Sequence, residues 1–336
     1  METRRRSPLY IALSICLTAG VFNFLSRFTS SEKVISILRG VDRRGVAMFL
    51  LLSMAMSFFR TWRYGLVLKV SGHSPPPGPL FLIVLVRNFL SDLLPARLGT
   101  LSYVYLATSR LGIPLSSSVS SFALSFLFDI AALVPMIAAV ALLVGLSHLD
   151  KALPLLFASA LLLAVVTGGT IFSLPMIFRL SGRIAGSLPV LRDKWRDKWL
   201  DFCAEAEGKL WHAREEGIFL RLFALSLLVR LAKYGSLYVL LHALLRPLEY
   251  GVKELSPAKV LLGLVSSELA ASLPISGIAG FGVYEGTWSL VFTLLGMPAE
   301  LAAATGVSHH VFTQAYGYSL GGLALLLLLA IPAGEK

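Results

Sequence analysis

The chain is poor in charge, in cysteine and in acids. Only 15% of its 336 residues are Asp, Glu, Lys or Arg, against about a quarter in soluble domains, which excludes an ordinary water-soluble fold. Its 2 cysteines, Cys16 in an apolar run and Cys203 in a polar segment, exclude a disulfide framework and offer no metal-ligand spacing. His309 and His310 are adjacent, and neighbours on a helix point about 100° apart, so the pair does not readily share a metal. No Gly-x-x-x-x-Gly-Lys-Ser/Thr run is present, which removes an ATP loop of that kind. No cofactor is expected. The 19 acids are outnumbered by 30 Lys and Arg, giving a net charge of +11. Such a balance can signal nucleic acid, but here the basic residues gather in short segments between apolar runs, as orientation in a membrane requires. Nucleic acid is therefore not an expected partner.

What the chain has is apolar length. Hydrophobic residues make up 56% and the mean hydropathy is +0.76. Several runs reach the roughly 20 residues that span a bilayer as a helix. They are continuous rather than alternating, which argues against a β-barrel. The expected fold class is an all-α polytopic membrane protein, a single membrane domain over 1–336.

Spans are expected at 9–28, 45–69, 115–147, 153–178, 218–247 and 299–332. The first begins behind Arg4-Arg5-Arg6 and is read as an uncleaved helix, because no small-x-small cleavage site follows. Segment 31–43 has helical spacing and reads as an interfacial helix. Segment 181–216 carries Leu188, Leu191, Trp195, Trp199, Phe202, Ala206 and Leu210 at three- and four-residue steps among charges. It reads as an amphipathic cytoplasmic connector between a first half, 1–180, and a second half, 217–336.

Each half contains an apolar segment broken by Pro and Gly. The first, 79–112, carries Arg87, Asn88, Asp92, Pro95, Arg97 and Gly99. The second, 257–297, carries Pro274, Gly277, Gly280, Gly282 and Glu285. Irregular backbone at bilayer depth is tolerated only where protein buries it or where it lines a wet cavity. Paired broken segments in two halves point to a transporter's binding site. With the N-terminus in the cytoplasm and each segment treated as a re-entrant hairpin, the connector falls in the cytoplasm. The two hairpins then enter from opposite faces, the topology of two inverted halves.

Charges inside spans are costly and are functional candidates. Arg87 and Arg97 present planar forks that match phosphate oxygens. Asp92 lies five residues from each and can pair with either. Pro95 removes a backbone donor, and Gly99 permits a positive φ or a close approach. Glu285 falls in the first turn of a half-helix, where it caps, or binds a cation, a proton or an Arg. Asp129 sits mid-span and needs a partner from another helix, with Arg60, Arg63, Arg230 and Lys233 available. Glu268 has the same need.

Asn88 to Gly99, Leu111-Gly112 and Asp129, followed by Leu273-Pro274-Ile275-Ser276, Gly280 to Gly286 and Leu295-Gly296, resemble the two halves of the lysylphosphatidylglycerol synthase transmembrane region, also called flippase-like or UPF0104. The resemblance covers nearly the whole chain. Thr100, Tyr103, Ser125, Phe126 and Tyr284 stand where that family usually carries charge. The resemblance implies an inner-membrane flippase-like transporter, not an enzyme, that moves a phosphate-bearing lipid, either phospholipid or polyprenyl-phosphate-linked. Its expected substrate-binding residues are Arg87, Asp92, Pro95, Arg97, Gly99, Asp129, Pro274, Gly280, Gly282 and Glu285. A non-transporting accessory protein of a lipid-synthesis complex and a membrane-embedded transferase are the alternatives. A homo-oligomer is compatible with the sequence but not required by it.

Overall fold

The computed structural model describes residues 29–94, 99–145, 153–187, 193–248, 250, 256–271 and 281–331, with Gly20, Asn23 and Arg27. Pro95, Arg97, Pro274 and Gly280, and nearly all of the expected first span, lie outside the described residues. Among the described residues there is no strand. In chain order the helices are α1 (Ser31–Gly40), α2 (Arg43–Val70), α3 (Pro77–Leu93), α4 (Ser102–Leu111), α5 (Leu115–Ala131), α6 (Leu133–Gly145), α7 (Leu153–Ser187), α8 (Asp193–Glu215), α9 (Phe219–Leu245), α10 (Pro257–Ala271), α11 (Val283–Leu294) and α12 (Ala299–Ala330). Among the described residues, five stretches are long and apolar enough to cross a membrane: Arg43–Val70, Leu115–Ala139, Phe157–Ser187, Phe219–Leu248 and Ala299–Ala330. They coincide with five of the expected spans.

Local chemistry sets the boundaries. Asp42 caps α2, its Oδ2 accepting the Gly45 N–H at 3.3 Å, and Arg246 holds the same oxygen at 2.8 Å. α2 stops at Gly72, whose φ of 84° places it in the left-handed region that glycine tolerates. α3 opens on Pro77, which lacks the N–H that a first helical turn leaves unused. The expected span 115–147 is interrupted between α5 and α6 at Ala132. The reason is Pro135, which has no N–H for the Ala131 carbonyl and whose ring crowds it. α7 runs on to Ser187, so the amphipathic segment starts as the end of a span and continues as α8.

The chain divides into two compact units, Met1–Met54 with Leu85–Ser102 and Ala232–Leu326, and Ala55–Val84 with Tyr103–Leu231 and Leu327–Lys336. Each draws on both halves of the sequence. The first has a core of Ile37, Phe49, Leu240, Leu244 and Ala304, with Phe312 and Tyr316 packed against it. In it, α10 and α11, the two arms of the second broken segment, pack on one another. Gly263 makes this approach, because a Cβ there would run into the Phe292 ring.

The second unit has a core of Val67, Leu124, Phe128, Ile171, Leu174, Leu210, Ala213, Ile218 and Leu222. α8 contributes to that core, packing on α7 and α5 through Cys203, Ala206, Leu210 and Ala213. These positions recur at helical spacing, so one face of α8 is buried. Trp195 and Trp199 stay exposed. The connector is thus docked on helices along one face, with its tryptophans turned outward.

Candidate functional site

In the first unit, one face of α12 gathers charge from both broken segments. The face runs His310, Gln314, Gly317 and Gly321, steps of three and four that align along a helix. Tyr318 flanks it.

Glu285 meets this face from the first turn of α11 and is fully buried. Its Oε2 accepts the Gly282 N–H at 2.8 Å. Its Oε1 accepts from His310 Nδ1 at 2.6 Å. Gly282 has a φ of 96°, a conformation that only glycine adopts freely. Glu285 therefore caps a half-helix, the first of the two alternatives, and it also engages an ionisable side chain. The partner is a histidine rather than an arginine. Phe281 and Tyr284 pack against the imidazole, each with a ring centroid 4.4 Å away. On the far side of the ring, Gln314 Nε2 donates to His310 Nε2 at 2.7 Å, while its own Oε1 is buried without a hydrogen-bond partner among the described residues.

His309 serves a different purpose. It is fully buried, its Nε2–H donates to the Leu237 carbonyl at 3.1 Å, and its Nδ1 accepts from the Tyr284 hydroxyl at 3.3 Å. These two bonds call for one neutral tautomer. Its ring lies 4.7 Å from Trp288. It ties α12 to α9 and α11.

Further along the same face, α3 approaches. Phe89 packs edge-on against Tyr318 at 5.5 Å. Asp92 lies beside Gly317, where a Cβ would sit 3.7 Å from its Oδ2. At Gly321 a Cβ would overlap Phe89 and crowd the Leu85 carbonyl. Gly317 and Gly321 form the small-residue pair that lets membrane helices meet closely. Gly99 serves close approach too, since a Cβ there would strike the Leu90 carbonyl. Arg87 is buried, its Nη1 donates to Asn88 Oδ1 at 3.2 Å, and its Nε has no hydrogen-bond partner among the described residues. Glu268 finds its partner on α9, with Lys233 Nζ at 2.6 Å and the Tyr234 hydroxyl at 3.3 Å.

Asp129 belongs to the second unit and the described candidates above to the first. Arg63 grips it with both terminal nitrogens, and Arg230 Nε donates to its main-chain carbonyl at 3.0 Å. Arg63 and Arg230, both among the partners considered for it, therefore make hydrogen bonds to it. Tyr64 and Tyr103 stack beside the pair at 3.8 Å, and the Tyr103 hydroxyl is 2.9 Å from Ser121 Oγ.

Against this geometry, the family model described as lysylphosphatidylglycerol synthase TM region matches residues 11–322. The chain belongs to that family. No curated protein matches it. The match takes in both broken segments, Asp129, Glu285 and the α12 face.

Sequence reasoning passed over Gln314, Ser226 and the Gly317–Gly321 pair, and weighed His310 only against a metal role, for which the adjacent pair is ill placed. The spacing His310-x-x-x-Gln314 and Gly317-x-x-x-Gly321 was the available signal, since residues four apart on a helix share a face.

Proposed function

We propose that this protein is an inner-membrane lipid translocase that moves a phosphate-bearing lipid between leaflets and performs no covalent chemistry. Its membrane character and its family support a role in lipid metabolism or lipid flipping. The observation that carries the reading further is the α12 face. The buried Glu285 of one broken segment and Asp92 of the other flank the same helix, with His310, Gln314 and Tyr318 between them. From His310 to Tyr318 the helix rises about 12 Å, the scale of a lipid headgroup with its phosphate. A buried charge network is costly in hydrocarbon and marks a ligand pathway more often than a scaffold.

In this reading the headgroup travels along the α12 face while the tail stays in lipid. The two broken segments act as re-entrant hairpins entering from opposite faces, and the N-terminus lies in the cytoplasm. Arg87 contributes a phosphate donor, and Glu285 with His310 shapes the passage.

The test is leaflet exchange of fluorescent phosphatidylglycerol and prenyl-phosphate probes in liposomes holding the purified protein. Glu285→Gln keeps an acceptor for the Gly282 N–H and removes the charge. It is expected to slow exchange about tenfold or more, as the loss of a charged hydrogen bond would. Exchange no faster than in protein-free liposomes for either probe overturns the reading.

A further inference from the structure

α8 carries charge along most of its length, and Asp197, Lys198, Asp201, Glu205 and Arg214 are exposed. Exposed charge at that density needs water rather than hydrocarbon. α8 runs antiparallel to the C-terminal half of α7, and the contacts step along both helices. Arg214 lies over the Phe172 ring at 5.2 Å, and the Phe178 and Phe202 rings are 6.0 Å apart. A Cβ at Gly182 would meet Cys203, and one at Gly186 would meet Leu200. From Phe172 onward, then, α7 has a companion that stays in water, and it leaves the hydrocarbon near Phe172. The length agrees. From Leu153 to Phe172 the helix rises ~30 Å, the thickness of a bilayer's hydrocarbon core. Phe219, which opens the span of α9, lies 6.4 Å from Phe172, and Arg214 also stacks on Trp211 at 5.2 Å. Aromatic rings gathered at one level mark a membrane interface.

Beyond that level one face of α7 is still apolar. Met176 is 68% exposed, Ile177 49%, Leu180 52% and Ile184 52%. A contiguous apolar patch outside the hydrocarbon marks an interaction surface. It continues the exposed stripe of the membrane part. Leu162, Gly169 and Met176 are exposed and lie seven apart, with Val165, Val166 and Phe172 exposed between them. That is the repeat of a helix–helix seam. A Cβ at Gly169 would meet nothing within 4 Å, so the space beside it is open to another helix. The bilayer does not reach the whole stripe. Ile184 lies ~18 Å past Phe172 along the helix, whereas the headgroup layer adds about 5–8 Å on each side. Even a tilt of about 40° keeps Ile184 ~14 Å from that level.

We propose that this face of α7, from Leu162 to Ile184, is where two copies of the chain meet. An occupant that covers the stripe is a helix that crosses the bilayer and leaves it on the same side by ~20 Å. The α7 of a second copy, parallel to the first about a twofold axis along the membrane normal, meets that description. Within hydrocarbon, lipid covers such a face as well as a helix does. Met176, Leu180 and Ile184, which lie in water, therefore supply the drive to associate. The exposed Arg179 and Arg183 continue the row of Phe172 along the edge of the stripe. They fall at the rim of the pair, where they stay hydrated. This inference goes beyond the transport reading and does not rest on it.

The test uses full-length protein in liposomes, with copies counted by single-molecule photobleaching over a dilution series. The wild type is expected to be a dimer. Leu180→Glu with Ile184→Glu is expected to weaken it about tenfold or more, since both side chains would leave an apolar contact. Trp195→Glu, at an exposed apolar position on α8, is the control and is expected to leave the dimer unchanged. If the double variant does not fold, disulfide trapping replaces it. In a Cys16→Ser, Cys203→Ser background, Leu180→Cys is expected to crosslink two copies in oxidised membranes, and Trp195→Cys is not. A monomer at every dilution overturns the proposal and leaves the stripe to another protein. A dimer no more sensitive to the double variant than to the control also overturns it. So does a spin label at Leu180→Cys with the oxygen access of hydrocarbon, which would make the bilayer the occupant.

Discussion

Arg63 closes on Asp129 as a two-pronged pair, Nη1 to Oδ1 at 2.6 Å and Nη2 to Oδ2 at 2.9 Å, and Nη1 also donates to Ser226 at 2.6 Å. Arg63 comes from α2 and Asp129 from α5, so the pair ties two spans together. Removing one partner of a buried pair strands the other charge, at a cost of about 3–5 kcal/mol. Asp129→Ala is expected to lose stability of that order in detergent-monitored unfolding. Replacing both with apolar residues, Arg63→Met with Asp129→Leu, is expected to recover most of it.

Gly321 and Gly322 are neighbours with opposite surroundings. A Cβ at Gly321 overlaps Phe89 and crowds the Leu85 carbonyl, whereas one at Gly322 meets nothing within 4 Å. Gly321→Ala should destabilise by about 1–3 kcal/mol through overpacking. Gly322→Ala should be neutral or stabilise by up to about 1 kcal/mol through helix propensity. Unfolding midpoints of the two single variants check the contrast.

Asp42 lies outside the spans. Its hydrogen bond from Arg246 holds its carboxyl below the ordinary value of 3.8. A carboxyl depressed in the folded state stabilises above its unfolded value and loses that contribution as pH falls through the folded one. The advantage of wild type over Asp42→Asn is therefore expected to hold from neutral pH down to 3.8 and fade below it. Unfolding midpoints of the two proteins across that range measure it.

Cys203 sits on the buried face of α8, under Gly182 of α7, and burial pushes its thiol up. The thiolate is the reactive form. In a Cys16→Ser background, Cys203 is expected to react with a maleimide about tenfold more slowly in the native protein than after denaturation. Leu210→Ala, which removes an apolar contact of α8 with the second unit's core, is expected to speed the reaction.

The spans were legible because hydrocarbon demands long apolar helices, and composition alone reveals those. The interruption of 115–147 was less so, because Pro135 breaks a helix only where nothing nearby re-satisfies the freed carbonyl. The need of Asp129 and Glu268 for distant partners could be read directly, since a lone carboxylate at mid-span must be paired. The choice of Arg63 for one and Lys233 for the other could not, because it depends on which helix faces meet. The same limit hid His310. Its bond to Glu285 joins residues 25 apart in sequence, and no local pattern announces such a contact. Asp129 was grouped with the broken-segment residues on its mid-span charge and on the family resemblance, and it falls in a different unit.

The amide of Gln314 has two unlike ends, and among the described residues only one of them is engaged. As it stands, its NH2 faces a ring nitrogen of His310 that accepts. A half-turn about a single side-chain bond would bring Oε1 there instead, suited to a ring nitrogen that donates. Gln314 can thus serve that ring nitrogen as a donor or as an acceptor, while Glu285 holds the other nitrogen. The contact between two residues one turn apart on α12 is reset by one rotating amide, and no helix has to move.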